Sequence, residues 1–386
     1  MPTRTFTTSA RRIALARAGG DNRGSMKWAR RVLIAAGVIV VGIATLTALT
    51  PTGRYIVRAA WAEARILAAR QPIDKLSASP DIRAATRAKL GLVLAAREFA
   101  RDGLALRAEE SFTAYSEVDR DTLVLVLSAA QRDRLEPVTW WFPVVGRVPY
   151  KGFFDFDLAR ESAHAMREDG YDTYLRPASA FSTLGYFNDP LLSTTLRLDS
   201  VSLVNTVIHE ITHNSFYASG QAVFNESFAN FVGSRGAELF FARFKDERRA
   251  ELARADWHDE MTMGRFWSGL YRSLDSAFDA HPGSAAERLS ARDKIYARAR
   301  TTLRDDVAPS LMMPATRGAI ARQPLDNAVL LARRIYVTDL DLFDAAYALE
   351  GSDLSRSVRR IMSLARSRPD DPYGAVRDWV ASKTTK

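Results

Sequence analysis

The segment His209-Glu210-Ile211-Thr212-His213 constrains this chain more than any other feature, because its two histidines can hold one metal ion only if the segment is helical. On an α-helix, side chains four residues apart leave the same face one turn apart, so both imidazoles can bind one ion. The whole chain has five histidines, so a random match to this pattern is expected roughly 0.008 times. A buried amphipathic helix whose histidines align by coincidence is the alternative. The pattern predicts a buried helix that presents a metal site.

Glu226 is the candidate third ligand, since a catalytic zinc ion usually has three protein ligands and one open position for water. A second helix is predicted over residues 224–233, and on it Glu226 shares a face with Gly233, whose small size permits close approach to the first helix. The chain has no cysteine, so nitrogen and oxygen atoms must supply every ligand. The sequence therefore predicts a site for one zinc ion formed by His209, His213 and Glu226.

Residues 32–50 are nineteen consecutive residues without a charge, enough to cross roughly 30 Å of hydrocarbon as a helix. Eight basic residues and a single acid precede them, and an excess of positive charge predicts the cytoplasmic side of a membrane helix. We therefore expect a basic cytoplasmic arm over residues 1–31 and an uncleaved single-pass helix in the inner membrane over residues 32–50. A signal peptide that is removed is the alternative, and Met26 is a candidate for the true start. Residues 51–386 are then expected to be exported.

Most of the net positive charge of the chain lies in the same basic arm. The net charge is +9, and removing residues 1–31 leaves about +2. A nucleic acid is therefore not an expected partner. No pattern in the sequence indicates the oligomeric state.

The periodicity of the exported region predicts a fold of the α+β class in which helices dominate. Residues 122–128 and 138–142 are short β-branched and aromatic runs that predict two neighbouring strands, and residues 171–175 predict another. After the motif the apolar spacing is almost wholly helical. We expect a short mixed sheet within a metal-site core over residues 120–236, followed by a helical remainder over residues 237–386.

Eight short segments carry a resemblance that extends beyond the metal motif. They are residues 72–74, 97–100, 142–146, 149–154, 182–190, 209–213, 224–229 and 327–328. In this order they resemble a bacterial family of predicted aminopeptidases, zincin-like metallopeptidases of the gluzincin type, and the resemblance covers residues 55–365. It implies a zincin-like catalytic domain with His209, His213 and Glu226 as zinc ligands and Glu210 as the catalytic base. Members commonly begin with a lipidated cysteine, which this chain lacks, so residues 32–50 are expected to provide the anchor.

The resemblance implies a function as well as a fold. A membrane-anchored enzyme of this kind would hydrolyse peptide bonds through a zinc-activated water, acting as an aminopeptidase on a peptide substrate. An endopeptidase stays open, because no acid that holds a free substrate amine is recognisable in the sequence. A noncatalytic zinc-binding scaffold is a further alternative, although such a site needs no general base, and Glu210 is present.

Two residues outside the motif are candidates for supporting roles. The peptide carbonyl oxygen needs a second electrophile besides the metal, and Tyr336 is the candidate; a half-buried core tyrosine is the alternative and the more ordinary reading. Asn225 precedes Glu226 and is a candidate to orient it. Asn225 could instead cap the second helix.

Residues 180–187 predict one more strand, which would lie beside the site. An exposed strand edge can pair with an extended substrate backbone without selecting its sequence. Thr183, Leu184 and Gly185 are therefore candidate substrate-binding residues. An ordinary strand inside the sheet is the alternative.

Overall fold

The computed structural model describes residues 51–142, 146–178, 190–320 and 322–384, together with residues 30–32, 34–35, 37–38, 41–42 and 45. The chain divides into two units, Met1–Ala60 and Trp61–Lys386. All elements from the first strand onward belong to the second unit, which is helix-dominated with three small sheets. The predicted α+β class with dominant helices is confirmed.

The prediction of a membrane-spanning helix over residues 32–50 is wrong. Within the part of the chain that the structure describes, no helix is both long enough and apolar enough to cross a membrane. The first helix with a continuously described backbone, Pro51–Ala68, carries Arg54, Arg58, Glu63 and Arg65, and each such charge is costly in hydrocarbon. Most of residues 32–50 and nearly all of the basic arm lie outside the described residues. The single-pass localisation in the inner membrane depended on that helix and is corrected with it.

Among the residues that the structure describes, the strands are short and form three separate sheets. In chain order they are β1 (Gln71–Pro72), β2 (Ala114–Ser116), β3 (Val124–Ala130), β4 (Trp140–Phe142), β5 (Gly146–Val148), β6 (Lys151–Phe153), β7 (Asp172–Ala178) and β8 (Leu191–Leu192). The sheet orders are β1–β2–β8, β6–β3–β7 and β4–β5. Only the first is mixed, because β2 pairs antiparallel with β1 and parallel with β8. The sequence predicted one mixed sheet, and the structure has three smaller ones.

Helices account for most of the residues that the structure describes from Pro51 onward. In chain order they are α1 (Pro51–Ala68), α2 (Ile73–Ala78), α3 (Ala84–Glu98), α4 (Phe156–Glu168), α5 (Ser193–Leu196), α6 (Ser200–Ser215), α7 (Ala222–Arg243), α8 (Glu247–Asp279), α9 (Ala285–Thr302), α10 (Ala308–Ser310), α11 (Pro314–Ile320), α12 (Asn327–Val337), α13 (Leu340–Leu349), α14 (Leu354–Ser367) and α15 (Pro372–Thr384). Single π-helical turns follow α3 and α9, at Phe99–Gly103 and Leu303–Val307.

The pairing of the predicted strands is partly as expected. Strands β3 and β7 lie close to the predicted residues 122–128 and 171–175 and pair antiparallel. Residues 138–142, however, are not the neighbour of β3, which pairs with β6 and β7. Strand β4 pairs with β5 instead, and β5 begins at Gly146, soon after β4 ends at Phe142. A tight reversal favours the nearest antiparallel partner over a distant one.

Helices α6 and α7 form a buried antiparallel pair at the centre of the unit. Helix α6 begins at Asp199, whose carboxylate accepts hydrogen bonds from the backbone N–H of Val201 at 2.8 Å and Ser202 at 3.1 Å. The apolar residues before the motif are buried as predicted. Gly220, with a φ of 76°, reverses the chain into α7. Helix α7 is longer than predicted, because its apolar face continues beyond residue 233 into the core.

Gly233 sets the distance between α6 and α7. A Cβ at this position would lie 2.9 Å from the backbone oxygen of Asn205 and 3.2 Å from the Cβ of His209. Both contacts are closer than a well-packed core tolerates. The small residue predicted to permit close approach therefore brings the helix carrying Glu226 against the helix carrying both histidines.

We expect Gly233→Ala to lower the free energy of unfolding by about 1–3 kcal/mol, because the added methyl group forces α6 and α7 apart. Urea unfolding followed by circular dichroism measures this change. Gly269→Ala is the matched control, since its Cβ would meet nothing within 4 Å, and alanine in a helix is favoured by up to about 1 kcal/mol. Equal stability of the two variants would contradict the close approach at Gly233.

Candidate metal centre

His209, His213 and Glu226 converge at one point between α6 and α7. The two histidine Nε2 atoms are 3.2 Å apart, and Glu226 Oε2 lies 3.3 Å from Nε2 of His209 and 3.6 Å from Nε2 of His213. Among the described residues, these three form the group whose ligand atoms all lie within 4.8 Å of one another. The structure thus brings together the three ligands that the sequence predicted from residues up to seventeen positions apart.

The spacing of these atoms matches a tetrahedral metal site. Zinc binds imidazole nitrogen and carboxylate oxygen at about 2.0–2.2 Å, which places neighbouring tetrahedral ligands about 3.3–3.6 Å apart. The three measured separations are close to that range. Two imidazoles and one carboxylate form the donor set that zinc favours, whereas calcium and magnesium favour oxygen alone. The residues present therefore fit a zinc ion with one open position.

The charges of Glu226 and the two histidines shift one another's pKa values. Burial alone would favour the neutral acid, but the charges and hydrogen bonds of His213 and His209 outweigh it, so the pKa of Glu226 lies well below its usual value. Burial opposes protonation of His213, but the Glu226 carboxylate prevails and raises the pKa of the imidazole. Glu226 is therefore a carboxylate anion at neutral pH, which is the form in which a glutamate binds a metal.

Glu210 lies beside the triad with a free oxygen. Its side chain lines the same cavity as the three ligands. Its Oε2 atom is buried and accepts no hydrogen bond from the described residues. An unpartnered buried carboxylate oxygen is costly unless a ligand or water occupies the space beside it. The predicted base is thus available to a water molecule in the cavity.

Tyr336 reaches the site from α12. Its hydroxyl accepts a hydrogen bond of 2.9 Å from Nη2 of Arg176, whose guanidinium also lies 5.3 Å from the centre of the tyrosine ring. Burial raises the pKa of Tyr336 to about 12, the charge of Glu226 adds to this, and Arg176 opposes it. The phenol is therefore protonated at neutral pH and can donate its O–H to an oxygen in the cavity.

Arg176 and Tyr150 are site residues that the sequence analysis did not identify. Arg176 lies on β7, and both side chains line the cavity with the triad. Burial and the nearby charge of Glu226 raise the pKa of Tyr150 well above its usual value. Tyr150 belongs to segment 149–154 of the resemblance, which was a signal that it lies near a functional site. Arg176 carried no comparable signal.

The cavity that the triad lines has a volume of about 580 Å³. Helix α6 forms one wall from Ser202 to His213, and β7 contributes Arg176, Pro177 and Ala178. Helix α8 supplies a group of acids, Asp256, Asp259 and Glu260. A space of this size accommodates several residues of an extended peptide or a comparable small ligand.

Asn225 holds the turn before α7 rather than touching Glu226. Its side chain accepts a hydrogen bond from the backbone N–H of Ala218 and donates one to the carbonyl of the same residue, both at 2.8 Å. This two-point contact anchors the loop that leads from His213 to Glu226. Its predicted role of orienting Glu226 stays a prediction, and any such action is through the loop. Thr183, Leu184 and Gly185 lie outside the described residues.

Most of the sequence matches the model of a known family. The model of the family described as Putative aminopeptidase matches residues 54–372. The chain belongs to this family. The resemblance seen in eight short segments is thereby confirmed, whereas assignment to the gluzincin type stays a prediction. Every described residue of the candidate site lies within the matched range.

Membership in this family supports the interpretation of the protein as a peptidase. Searches of curated proteins and of solved structures found no match.

Proposed function

We propose that this family member is a zinc-dependent metallopeptidase that hydrolyses peptide bonds, acting as an aminopeptidase. The observation that carries the proposal is the triad of His209, His213 and Glu226, whose ligand atoms are spaced as around a tetrahedral metal. Beside it lies Glu210, which a purely structural metal site would not need. The family match supports the same class of reaction.

Glu210 is proposed as the general base. A zinc ion at the triad would act as a Lewis acid and make a water nucleophile available near neutral pH. Glu210 takes the proton of the attacking water and passes it to the departing amine, so that one carboxylate serves both proton transfers. Its buried, unpartnered Oε2 is free for this exchange.

Tyr336 and Arg176 are proposed to stabilise the carbonyl oxygen as negative charge develops on it. The phenol donates its O–H to that oxygen, and Arg176 fixes the phenol by donating to its oxygen at 2.9 Å. The positive charge of Arg176 also favours the developing negative charge. Tyr150, which lines the same cavity, is a second donor within the site.

Strand β7 is proposed to bind the substrate backbone. It pairs with β3 along one edge, and no strand among the described residues pairs with its other edge. Its last three residues, Arg176, Pro177 and Ala178, line the cavity. An extended peptide can add to such an edge through backbone hydrogen bonds, which align the scissile bond without requiring one sequence.

Metal analysis combined with peptide cleavage tests the proposal. The purified full chain is expected to contain about one zinc ion per molecule and to cleave members of a mixed peptide library. A chelator should abolish cleavage, and added zinc should restore it. Zinc bound at one ion per chain without cleavage of any peptide would contradict the peptidase and favour a noncatalytic zinc-binding scaffold. Internal cleavage of peptides with blocked amino termini would favour an endopeptidase.

A further inference from the structure

An enzyme that removes residues from the amino end of a peptide must bind a free ammonium group close to its metal. The ammonium nitrogen and the scissile carbonyl carbon belong to one residue and lie about 2.5 Å apart. With a hydrogen bond of about 2.8 Å, the carboxylate that binds the ammonium lies within roughly one helical turn of the metal ligands. Such an acid was not recognisable in the sequence.

Helix α8 brings three acids to the cavity, and one of them is already committed. Both carboxylate oxygens of Asp259 accept backbone hydrogen bonds, from Met312 N–H at 2.7 Å and from Met313 N–H at 2.9 Å. Asp259 is also buried. Its function is therefore to hold the loop before α11, and it is not free to bind a ligand.

Asp256 lies towards the far end of the cavity. Burial raises the pKa of its carboxyl to about 6, and the next cause is the charge of Asp199, which caps the start of α6. His209 follows Asp199 by ten residues on that helix, a distance of about 15 Å along the axis. Asp256 is therefore near the start of α6, and Glu260 rather than Asp256 contacts Asn230, one turn from Glu226.

Glu260 contacts Asn230, a residue of α7 that lies one helical turn after Glu226. Asn230 Nδ2 donates to Glu260 Oε2 at 3.4 Å and to the backbone oxygen of Tyr336 at 3.0 Å. Asn230 follows Glu226 by four residues on α7, so the two share a face and are separated by about 6 Å along the helix. The contact with Asn230 thus holds the Glu260 carboxylate near both the metal ligand and Tyr336.

Glu260 also lacks a cationic partner. No ion pair involving it occurs among the residues that the structure describes, and Asn230 supplies the one hydrogen bond that it accepts from them. Burial raises its pKa, and the charge of Arg333, which forms no ion pair with it, only partly opposes this. A ligand with a positively charged group would give the Glu260 carboxylate an ion-pair partner.

We infer that Glu260 binds the α-ammonium group of the peptide substrate, with its terminal residue between Glu260 and the metal triad. This contact rests on the proposed function and would make the peptidase an aminopeptidase. A peptide with a blocked amino terminus leaves Glu260 as a buried charge without a counter-ion, which disfavours binding. The same acid therefore both attracts free amino termini and rejects blocked ones.

Glu260→Gln in the full chain tests the contact, because glutamine keeps the size of the side chain but removes its charge. With peptides that have free amino termini, kcat/KM is expected to fall by about 10- to 100-fold, largely through KM, while bound zinc is unchanged. Asp256→Asn is the matched control in the same cavity and is expected to change kcat/KM by less than about threefold. Activity of Glu260→Gln within threefold of wild type, or an equal loss in Asp256→Asn, would overturn the inference.

Calorimetric titration separates this contact from the proposed reaction. Wild-type protein is expected to bind L-leucinamide at least about tenfold more tightly than N-acetyl-L-leucinamide, and Glu260→Gln should abolish that preference. A protein that shows this preference but cleaves no peptide contradicts the peptidase and supports the ammonium contact. A peptidase whose amide binding does not respond to Glu260→Gln supports the reaction and contradicts the contact.

Discussion

Glu210→Gln is expected to lower kcat/KM for peptide hydrolysis by about 10²- to 10⁴-fold while the bound zinc stays at the wild-type level. Glutamine has almost the same volume but cannot accept a proton from the attacking water. The side chain holds no other partner that its replacement would disturb, because Oε2 accepts no hydrogen bond from the described residues. Steady-state kinetics and metal analysis of the same sample measure the two quantities.

Glu226→Gln is the control that distinguishes a base from a ligand. Glu226 contacts both histidine nitrogens, so its neutral amide replacement should lose metal as well as activity. The two glutamates belong to the same site, yet only one of them should affect zinc content. A Glu210→Gln variant that loses its zinc, or that keeps more than a tenth of wild-type activity, would contradict the assignment of Glu210 as the base.

Asn327→Ala is expected to produce the largest loss of stability, about 3–5 kcal/mol in the free energy of unfolding. Its side chain is fully buried and donates to the carbonyl oxygens of Gln131, Arg132 and Arg134 at 2.8, 3.1 and 3.2 Å. It also accepts a hydrogen bond of 2.7 Å from the hydroxyl of Tyr296. Alanine would leave the buried Tyr296 hydroxyl without this acceptor and would remove the donor to three carbonyl oxygens. Urea unfolding measures the change.

Asn214→Ala is the comparison for this variant. Asn214 donates one side-chain hydrogen bond, to the hydroxyl of Ser111 at 3.0 Å, so its loss should cost about 0.5–1.5 kcal/mol. Asn327 connects α12 to α9 and to the loop that follows β3, whereas Asn214 makes a single peripheral contact. A similar destabilisation by the two substitutions would show that the buried network does not act as a unit.

The role of Asn327 also explains one segment of the family resemblance. Residues 327–328 matched the family without carrying any recognisable chemistry. The structure shows that Asn327 begins α12, the helix on which Tyr336 lies, and ties it to the loop that follows β3 through three carbonyl groups. Its contribution to the site is therefore indirect, since it positions the helix that carries the phenol.

Local patterns predicted the elements of the fold better than their pairing. The helix predicted over residues 224–233 lies within Ala222–Arg243, and β3 and β7 form close to their predicted positions. The pairing of β4 with β5 was not foreseen. Alternating or periodic side chains indicate whether a segment is extended or helical, but they do not specify which segment lies beside it.

The same distinction holds for the candidate site. His209 and His213 are one helical turn apart, so their convergence depends on local geometry that a sequence displays directly. Arg176 and Tyr336 are 160 residues apart, and Asn230 and Glu260 are 30 apart on separate helices. Nothing in the spacing of these residues predicts that they meet.

The sequence by itself was enough to predict that His209, His213 and Glu226 converge with Glu210 beside them. Helical periodicity and one tight reversal of the chain bring these residues together. Only the tertiary structure decided that Arg176, Tyr336 and Glu260 complete the cavity. Their positions depend on how α8, α12 and β7 pack around α6 and α7, and that packing is the sum of many contacts between residues distant in the chain.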